Sequence, residues 1–166
     1  MGNIIFREVE TQADLAILHD AIKVIWPEVF TSILGEEEVT YMVKNYQSID
    51  KITTEIADGA KYYLVELAGE VIGYTAYVIE TDAVYISKFY LLASVRGQGI
   101  SRKMFSWLIN IAKVNGKQKL ALRVNRGNAR AISVYQHFDF EIIKKIDTPF
   151  GDFSLNDYLM EKQLTV

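Results

Sequence analysis

Apolar positions recur along this chain with two different periods, and each change of period marks a boundary between elements. Leu15, Leu18, Ile22 and Ile25 fall at helical spacing. They predict a first helix from Thr11 to about Ile25, opened by Thr11 as N-cap with Asp14 three residues on, a variant of the capping box. Pro27 is expected to end or redirect this helix, because proline lacks an N–H and clashes with the preceding turn. Residues 30–35 are expected to form a loop. Glu36, Glu37 and Glu38 open a second helix, with carboxylates near its positive dipole end. A short third helix is expected over 49–57, closed by Asp58-Gly59. Stretches rich in β-branched and aromatic residues predict strands over 3–9, 61–67, 70–79, 84–91, 119–125, 141–146 and 153–163, the second and third joined at Ala68-Gly69. Ile100, Met104, Trp107, Leu108 and Ile111 predict a helix over 98–114, and another is expected over 128–137. Pro149-Phe150-Gly151-Asp152 reads as the turn into the last strand. With no repeat, linker or low-complexity tract, residues 1–166 read as one mixed α/β (α+β) domain.

Composition narrows the chemistry. Half of the 166 residues are hydrophobic and 12% aromatic, enough for one substantial core. Cysteine is absent, which excludes disulfides, thiol nucleophiles and thiolate metal sites and fits a reducing compartment. His19 and His137 lack ligand-spaced neighbours, so no metal site is expected. Met1-Gly2-Asn3-Ile4 has neither a basic stretch nor an apolar core, so no signal peptide is expected, and no run of about 20 apolar residues suits a membrane span. The expected location is the cytoplasm. Charge is unevenly spread. Residues 1–83 carry 5 Lys/Arg against 15 Asp/Glu, whereas residues 84–145 carry 12 against 2. The basic segment suits a polyanionic ligand and the acidic one a cationic substrate, unless both are merely solvated surface. The acidic remainder opposes nucleic-acid binding.

Two stretches carry the candidate chemistry. The first is Arg96-Gly97-Gln98-Gly99-Ile100-Ser101, between an apolar strand and a helix. N–H groups at a helix start have no intrahelical partner and favour an anion, and glycines let the backbone approach it closely. A tight turn without ligand has the same Gly-x-Gly pattern. The second is Asn128-Ala129-Arg130-Ala131-Ile132-Ser133-Val134-Tyr135. Seven residues apart on a helix, Asn128 and Tyr135 share a side. Asn128 also reads as an N-cap, and Tyr135 as an aromatic packing its helix on a sheet.

Taken together, the two stretches resemble the acyl-CoA-binding motifs of the GNAT N-acyltransferase superfamily. The first matches Arg/Gln-x-x-Gly-x-Gly/Ala with Ser101 in the last place. The second matches Asn-x-x-Ala-x-x-x-Tyr through Asn128, Ala131 and Tyr135, followed by Phe138-Asp139-Phe140, where Asp139 replaces the usual glycine. Aspartate tolerates a left-handed backbone better than most residues. Residues 26–46 and 150–162 further resemble bacterial spermine/spermidine-type acetyltransferases.

The resemblance implies one domain with a mixed, mostly antiparallel sheet of about seven strands, helices on both faces, and splayed strands 4 and 5. It implies acetyl-CoA as co-substrate, beside Phe89, Tyr90 and Leu91 on strand 4 and Asn125 on strand 5. Backbone N–H near Leu91 would hold the thioester oxygen. Those of Gly97, Gln98, Gly99, Ile100 and Ser101 would hold pyrophosphate, with Arg96 adding charge and Asn128 completing the set. Tyr135 is then the general acid for the leaving thiolate. The general base is open: strand 4 offers no carboxylate in Tyr85-Ile86-Ser87-Lys88-Phe89, leaving Glu28 or a chain of waters. The expected acceptor is a small-molecule amine, first a polyamine or similar cation. A peptide α-amine acceptor and a non-catalytic CoA-binding regulatory module are the alternatives. A homodimer is allowed by analogy, and neither nucleic acid, membrane nor metal is expected.

Overall fold

The computed structural model describes residues 3–164. Met1 and Gly2, read above against a signal peptide, and Thr165 and Val166, within the expected 1–166 domain, lie outside the described residues. In chain order the elements are β1 (Ile4–Glu8), α1 (Gln12–Leu34), α2 (Glu36–Tyr46), α3 (Ile49–Ala57), β2 (Lys61–Leu67), β3 (Glu70–Ile79) and β4 (Ala83–Leu91). A single 3-10 turn, Ala93–Val95, precedes α4 (Ile100–Val114). β5 (Lys119–Asn125), α5 (Ala129–His137), β6 (Glu141–Phe150) and β7 (Phe153–Gln163) follow. The strands form one mixed sheet in the order β1-β2-β3-β4-β5-β7-β6. β4 and β5 pair in parallel from Ala83↔Lys119 to Ile86↔Leu122, while β5 pairs antiparallel with β7 along Lys119–Asn125. The predicted mixed α/β fold with a mostly antiparallel seven-stranded sheet is what the chain adopts.

Two compact units make up the chain. One holds the chain up to Val78 together with Lys88–Ile100. The other holds Ile79–Ser87 and the chain from Ser101 onward. β4 thus contributes its first five residues to the second unit and its last four to the first.

Three boundaries differ from the sequence expectation by two residues or more. α1 does not stop near Ile25; it continues through Pro27 to Leu34 and ends on Gly35, whose φ is +88° and whose N–H donates to the Thr31 carbonyl. The expected loop over 30–35 does not exist. Proline removes one helical hydrogen bond and crowds one turn. Here its ring is exposed, while Ile25, Trp26, Val29 and Phe30 are buried around it and hold both halves of the helix down. The cost of the kink residue is outweighed by burial of four large side chains, each stabilising by about 1.5–3 kcal/mol. β6 does not end at Ile146 but runs to Phe150, so the turn shrinks to Gly151-Asp152. Pro149 pairs with Ser154 in this strand, and β6 is the last strand of the sheet, where a missing N–H breaks no inner ladder. α4 begins at Ile100 and not at Gln98, because Gly99 has φ +79°, outside the right-handed helical region.

The start of α1 is as expected. Thr11 Oγ1 accepts from the Asp14 N–H, and Asp14 Oδ2 accepts from the Thr11 N–H at 3.1 Å, so both halves of the capping box are made. Arg7 donates to Asp14 at 2.8 Å and to Glu66 at 3.1 Å, tying β1 to both α1 and β2.

Candidate functional site

The first unit carries Phe89, Tyr90, Leu91, Arg96, Gly97, Gln98, Gly99 and Ile100. β3 approaches the end of β4 closely here. A Cβ built on Gly73 would stand 2.3 Å from the Tyr90 carbonyl oxygen and 3.2 Å from Leu91 Cα. The Leu92 N–H donates to the Ile72 carbonyl at 2.8 Å, and the Thr75 hydroxyl donates to the Lys88 carbonyl at 2.7 Å. Below Tyr90 lies an aromatic group. Its ring centroid is 5.4 Å from Tyr74, 5.6 Å from Trp26 and 5.9 Å from Phe30. Trp26 donates its indole N–H to the Tyr74 hydroxyl at 2.6 Å, satisfying a buried donor that would otherwise cost about 1–3 kcal/mol. The Tyr90 side chain therefore belongs to packing, and what this part of β4 can present to a ligand is backbone and the side chains of its other face.

After β4 the chain turns sharply. The Ala93 N–H donates to Glu28 Oε1 at 3.0 Å, and Arg96 Nη2 donates back to the Leu91 carbonyl at 3.3 Å. These bonds assign Glu28 and Arg96 to holding the turn. Glu28 thereby commits one carboxylate oxygen to the turn, and Arg96 directs at least one guanidinium N–H away from an external anion. Gly97 and Gly99 follow with φ of +78° and +79°. A Cβ on either would meet nothing within 4 Å, so the space beside both is open. Gln98 between them is exposed, and Ile100, the first residue of α4, is buried at 1% exposure. The helix start is thereby anchored while the glycine turn before it faces outward. A Cβ-free, left-handed turn leading into a 15-residue helix has the form of an anion cradle.

The second unit carries Ser101, Asn125, Asn128 and Tyr135. Ser101 is half-buried in the first turn of α4. Asn125 ends β5, and its Oδ1 accepts from the Gly127 N–H at 2.8 Å. Asn128 caps α5: its Oδ1 accepts from the Ala131 N–H at 3.2 Å, and the side chain is 8% exposed. Both asparagines thus spend a side-chain oxygen on the β5–α5 turn. Arg126 locks the same turn, donating to the Asp157 carbonyl at 3.1 Å and to Asp147 at 2.6 Å.

Asn128, Ala131 and Tyr135 are all buried, as the seven-residue spacing predicts for one side of a helix. The Tyr135 ring meets Phe105 edge-on at 6.0 Å and Phe140 at 5.9 Å. Burial pushes its phenol pKa well up, against a smaller opposing effect of Arg130, so the hydroxyl keeps its proton at neutral pH. The backbone behind it is closed by a Schellman motif, with Phe140 N–H donating to the Tyr135 carbonyl and Asp139 N–H to that of Gln136. Asp139 takes the left-handed position at φ +69°, as expected of a residue standing in for glycine.

The features sequence reasoning missed are Gly73, the Trp26–Tyr74–Tyr90 group, and the Glu55–Tyr62 pair, in which Tyr62 donates to Glu55 Oε1 at 2.6 Å. An isolated glycine inside a strand does signal close backbone approach. The others are cross-element contacts without a local pattern. Among the described residues no group of three or more His, Asp or Glu is placed to hold a metal, and no helix is long and apolar enough to cross a membrane.

The model of the acetyltransferase (GNAT) family matches residues 21–140, more than two thirds of the chain and both candidate stretches. The chain belongs to the acetyltransferase (GNAT) family. Over 89 residues, 51% of this chain and 53% of the other, it is 30% identical to the uncharacterized N-acetyltransferase YjgM of Escherichia coli (strain K12). It spans about half the length of that curated relative. Among solved structures, this GNAT protein is similar to the PaiA N-acetyltransferase of Thermoplasma acidophilum in complex with coenzyme A, with TM-score 0.81, 20% identity, and 98% and 99% of the two chains covered. It is also similar to the ribosomal-protein-S18-alanine N-acetyltransferase of Escherichia coli, with TM-score 0.72, 15% identity, and 100% and 96% covered. At these identities the likeness is one of fold.

Proposed function

We propose that this GNAT protein is an acetyl-CoA-dependent N-acetyltransferase acting on a primary amine, with a polyamine or other small cationic amine as first choice of acceptor. The observation that carries the reading is the turn at Gly97 and Gly99. Two left-handed glycines with open space beside them precede a buried, anchored helix start. Such a turn fits a pyrophosphate, and the CoA-bound and acetyl-CoA-bound neighbours of the same fold support that ligand.

In this reading the backbone N–H groups of Gly97 to Ser101 receive pyrophosphate, and Phe89, Tyr90 and Leu91 offer backbone to the thioester arm. A hydrogen-bond donor aimed at the developing oxyanion lowers such a barrier by roughly 3–4 kcal/mol. Tyr135 donates its proton to the leaving sulfur, and burial keeps that proton in place until it is needed. Asn125 and Asn128 act by fixing the turn before α5. The chain has no cysteine, so direct attack by the amine is favoured over a thiol-bound acetyl.

The polyamine choice rests on charge. An excess of ten acidic residues over 1–83 raises the local concentration of a polycation and makes kcat/KM sensitive to salt. We place the activity in the cytoplasm, where free acetyl-CoA and reducing conditions suit a cysteine-free enzyme. The test is thiol release from acetyl-CoA with spermidine, a monoamine and a short peptide at low and high salt. Preference for spermidine that weakens with salt supports the reading. A salt-independent preference for the peptide moves the assignment to α-amine acetylation. Binding of acetyl-CoA without turnover on any amine leaves a CoA-binding regulatory module.

A further inference from the structure

Within the second unit, one face of the sheet carries polar groups whose hydrogen-bonding capacity is unused. β4 and β5 pair from Ala83↔Lys119 to Ile86↔Leu122, and β5 runs on past the last pair to Asn125. Asn125, read above beside acetyl-CoA, pairs with Asp157 of β7, and residues directly opposite in an antiparallel pair share a face. Arg123 lies on the same face, and its Nε stands 3.9 Å from Asp157 Oδ2, too far for a hydrogen bond. Neither Asp157 carboxylate oxygen accepts a hydrogen bond among the described residues, although the side chain is only 13% exposed. The backbone there is nevertheless fixed. Arg126 donates to the Asp157 carbonyl at 3.1 Å and pairs its charge with Asp147 at 2.6 Å. Tyr85, opposite Ala121, and Ser87 lie on this face by alternation. The Ser87 hydroxyl oxygen is buried without a partner, and the Tyr85 phenol makes no hydrogen bond among the described residues. A face made only for packing would be apolar. One made only for structure would have its polar groups paired.

We propose that Asp157 binds a non-reacting ammonium group of the acceptor, with Tyr85 and Ser87 on the same face, and so selects amines that carry a second positive charge. This rests on the reading of the protein as an acetyl-CoA-dependent N-acetyltransferase. An ionised carboxylate only accepts hydrogen bonds, and an ammonium only donates them. The serine and tyrosine oxygens can accept the remaining N–H groups. The nitrogen held here is not the one that attacks the thioester. A carboxylate partner favours the charged form of an amine, whereas attack needs the neutral one. Arg123 balances the charge of Asp157 at a distance without bonding it. When an ammonium enters, Arg123 keeps its own bond to the Thr148 hydroxyl at 3.3 Å. An anionic ligand would turn to Arg123 and leave the carboxylate unbonded.

The electrostatics of the face agree with its geometry. Burial raises the Asp157 pKa above its ordinary value; Arg123 and Arg126 oppose this and Asp147 reinforces it. Burial thus disfavours the bare carboxylate, and a bound ammonium restores the donors that water would supply. The Tyr85 phenol is pushed up to about 12, first by burial, with Arg123 opposing and Asp157 and Glu80 adding to it. It stays a neutral hydroxyl at neutral pH, able to accept from an ammonium. All of these groups belong to the second unit.

The experiment compares wild type with Asp157→Asn and Arg123→Gln. It measures turnover of spermidine and of propylamine, and calorimetric titration with spermidine and with acetyl-CoA. Asp157→Asn keeps the shape and removes the charge. Its spermidine KM and Kd should rise by about 10–10²-fold. Its propylamine kinetics and acetyl-CoA affinity should stay at wild type, which also shows that it folds. Arg123→Gln removes the competing cation, so spermidine should bind more tightly, by up to about 5-fold. Opposite signs from the two halves of one ion pair are not what a structural strut produces. Equal losses for spermidine and propylamine in Asp157→Asn, or weaker spermidine binding in both variants, overturn the proposal. So do wild-type spermidine constants in Asp157→Asn, and a wild type that neither binds nor acetylates spermidine. If wild type binds spermidine through Asp157 yet transfers acetyl to no amine, the site stands and the N-acetyltransferase reading is what fails.

Discussion

Replacing Gly73 by alanine tests whether the spacing of β3 and β4 sets up the end of β4. The added Cβ would lie 2.3 Å from the Tyr90 carbonyl oxygen, 2.8 Å from Leu91 Cδ2 and 3.2 Å from Leu91 Cα. A turn of the Leu91 side chain relieves the second contact. The first and third involve backbone, so β4 itself must move. Ordinary contact at 3.4 Å or more requires a retreat of roughly 1 Å from the Tyr90 carbonyl. The Leu92 N–H bond to the Ile72 carbonyl, 2.8 Å long, and the Thr75 bond to the Lys88 carbonyl both resist that retreat. Overpacking of this kind costs about 1–3 kcal/mol of stability. For a chain of this size each kcal/mol lowers Tm by about 2–4 °C. The displaced residues are those proposed to hold the thioester, and a misplacement of about 1 Å costs on the order of 10²-fold in rate. Gly73→Ala is therefore expected to fold, to melt several degrees lower, and to lose about 10²-fold in kcat/KM for acetyl-CoA. Calorimetric melting and thiol-release kinetics measure the two effects on one preparation. A variant with wild-type Tm and wild-type kcat/KM refutes the argument. A lowered Tm with unchanged kinetics refutes the catalytic part alone.

Gly99→Val forces a β-branched residue into φ +79° at a position where volume alone meets nothing, so the protein should fold yet bind acetyl-CoA much more weakly by calorimetric titration; unchanged affinity removes the anion-cradle reading. Tyr135→Phe keeps the ring against Phe105 and Phe140 and removes only the hydroxyl, so kcat should fall by about 10–10³-fold with acetyl-CoA affinity preserved, and wild-type turnover would return Tyr135 to packing alone. Asp14 accepts N–H bonds from Glu10 at 3.0 Å and Thr11 at 3.1 Å and an ion pair from Arg7, which hold its pKa below the ordinary 3.8. A lowered folded-state pKa stabilises above the unfolded value and is lost as pH falls through the folded one. Asp14→Asn should therefore be less stable than wild type at neutral pH, with the gap in urea midpoint closing as pH drops below 3.8; a pH-independent gap would show that the charge is irrelevant.

Local chemistry made the element order, the capping box at Thr11 and the glycine turn before α4 legible, because each depends on neighbours within a few residues. The same holds for α5: Asn128, Ala131 and Tyr135 share a buried side by helical spacing, and Asp139 takes the left-handed place its residue type allows. Where prediction failed, a distant contact outweighed a local preference. Pro27 breaks a helix in isolation, but burial of Ile25, Trp26, Val29 and Phe30 carries α1 past it. Pro149 forbids an inner strand, yet β6 lies at the edge of the sheet and runs through it. The bond from the Ala93 N–H to Glu28, 65 residues away in the chain, likewise had no local signal. The bond from Arg96, read as adding charge beside the glycine turn, to the Leu91 carbonyl was not legible either. The approach of Gly73 to Tyr90 and the bond from Trp26 to Tyr74 join residues far apart in the chain. Such relations have no period and no motif. They are decided only when strand order and register bring the segments side by side, which is why the amino-acid sequence alone disclosed the family's chemistry and the tertiary structure alone assigned the surroundings in which each side chain must work.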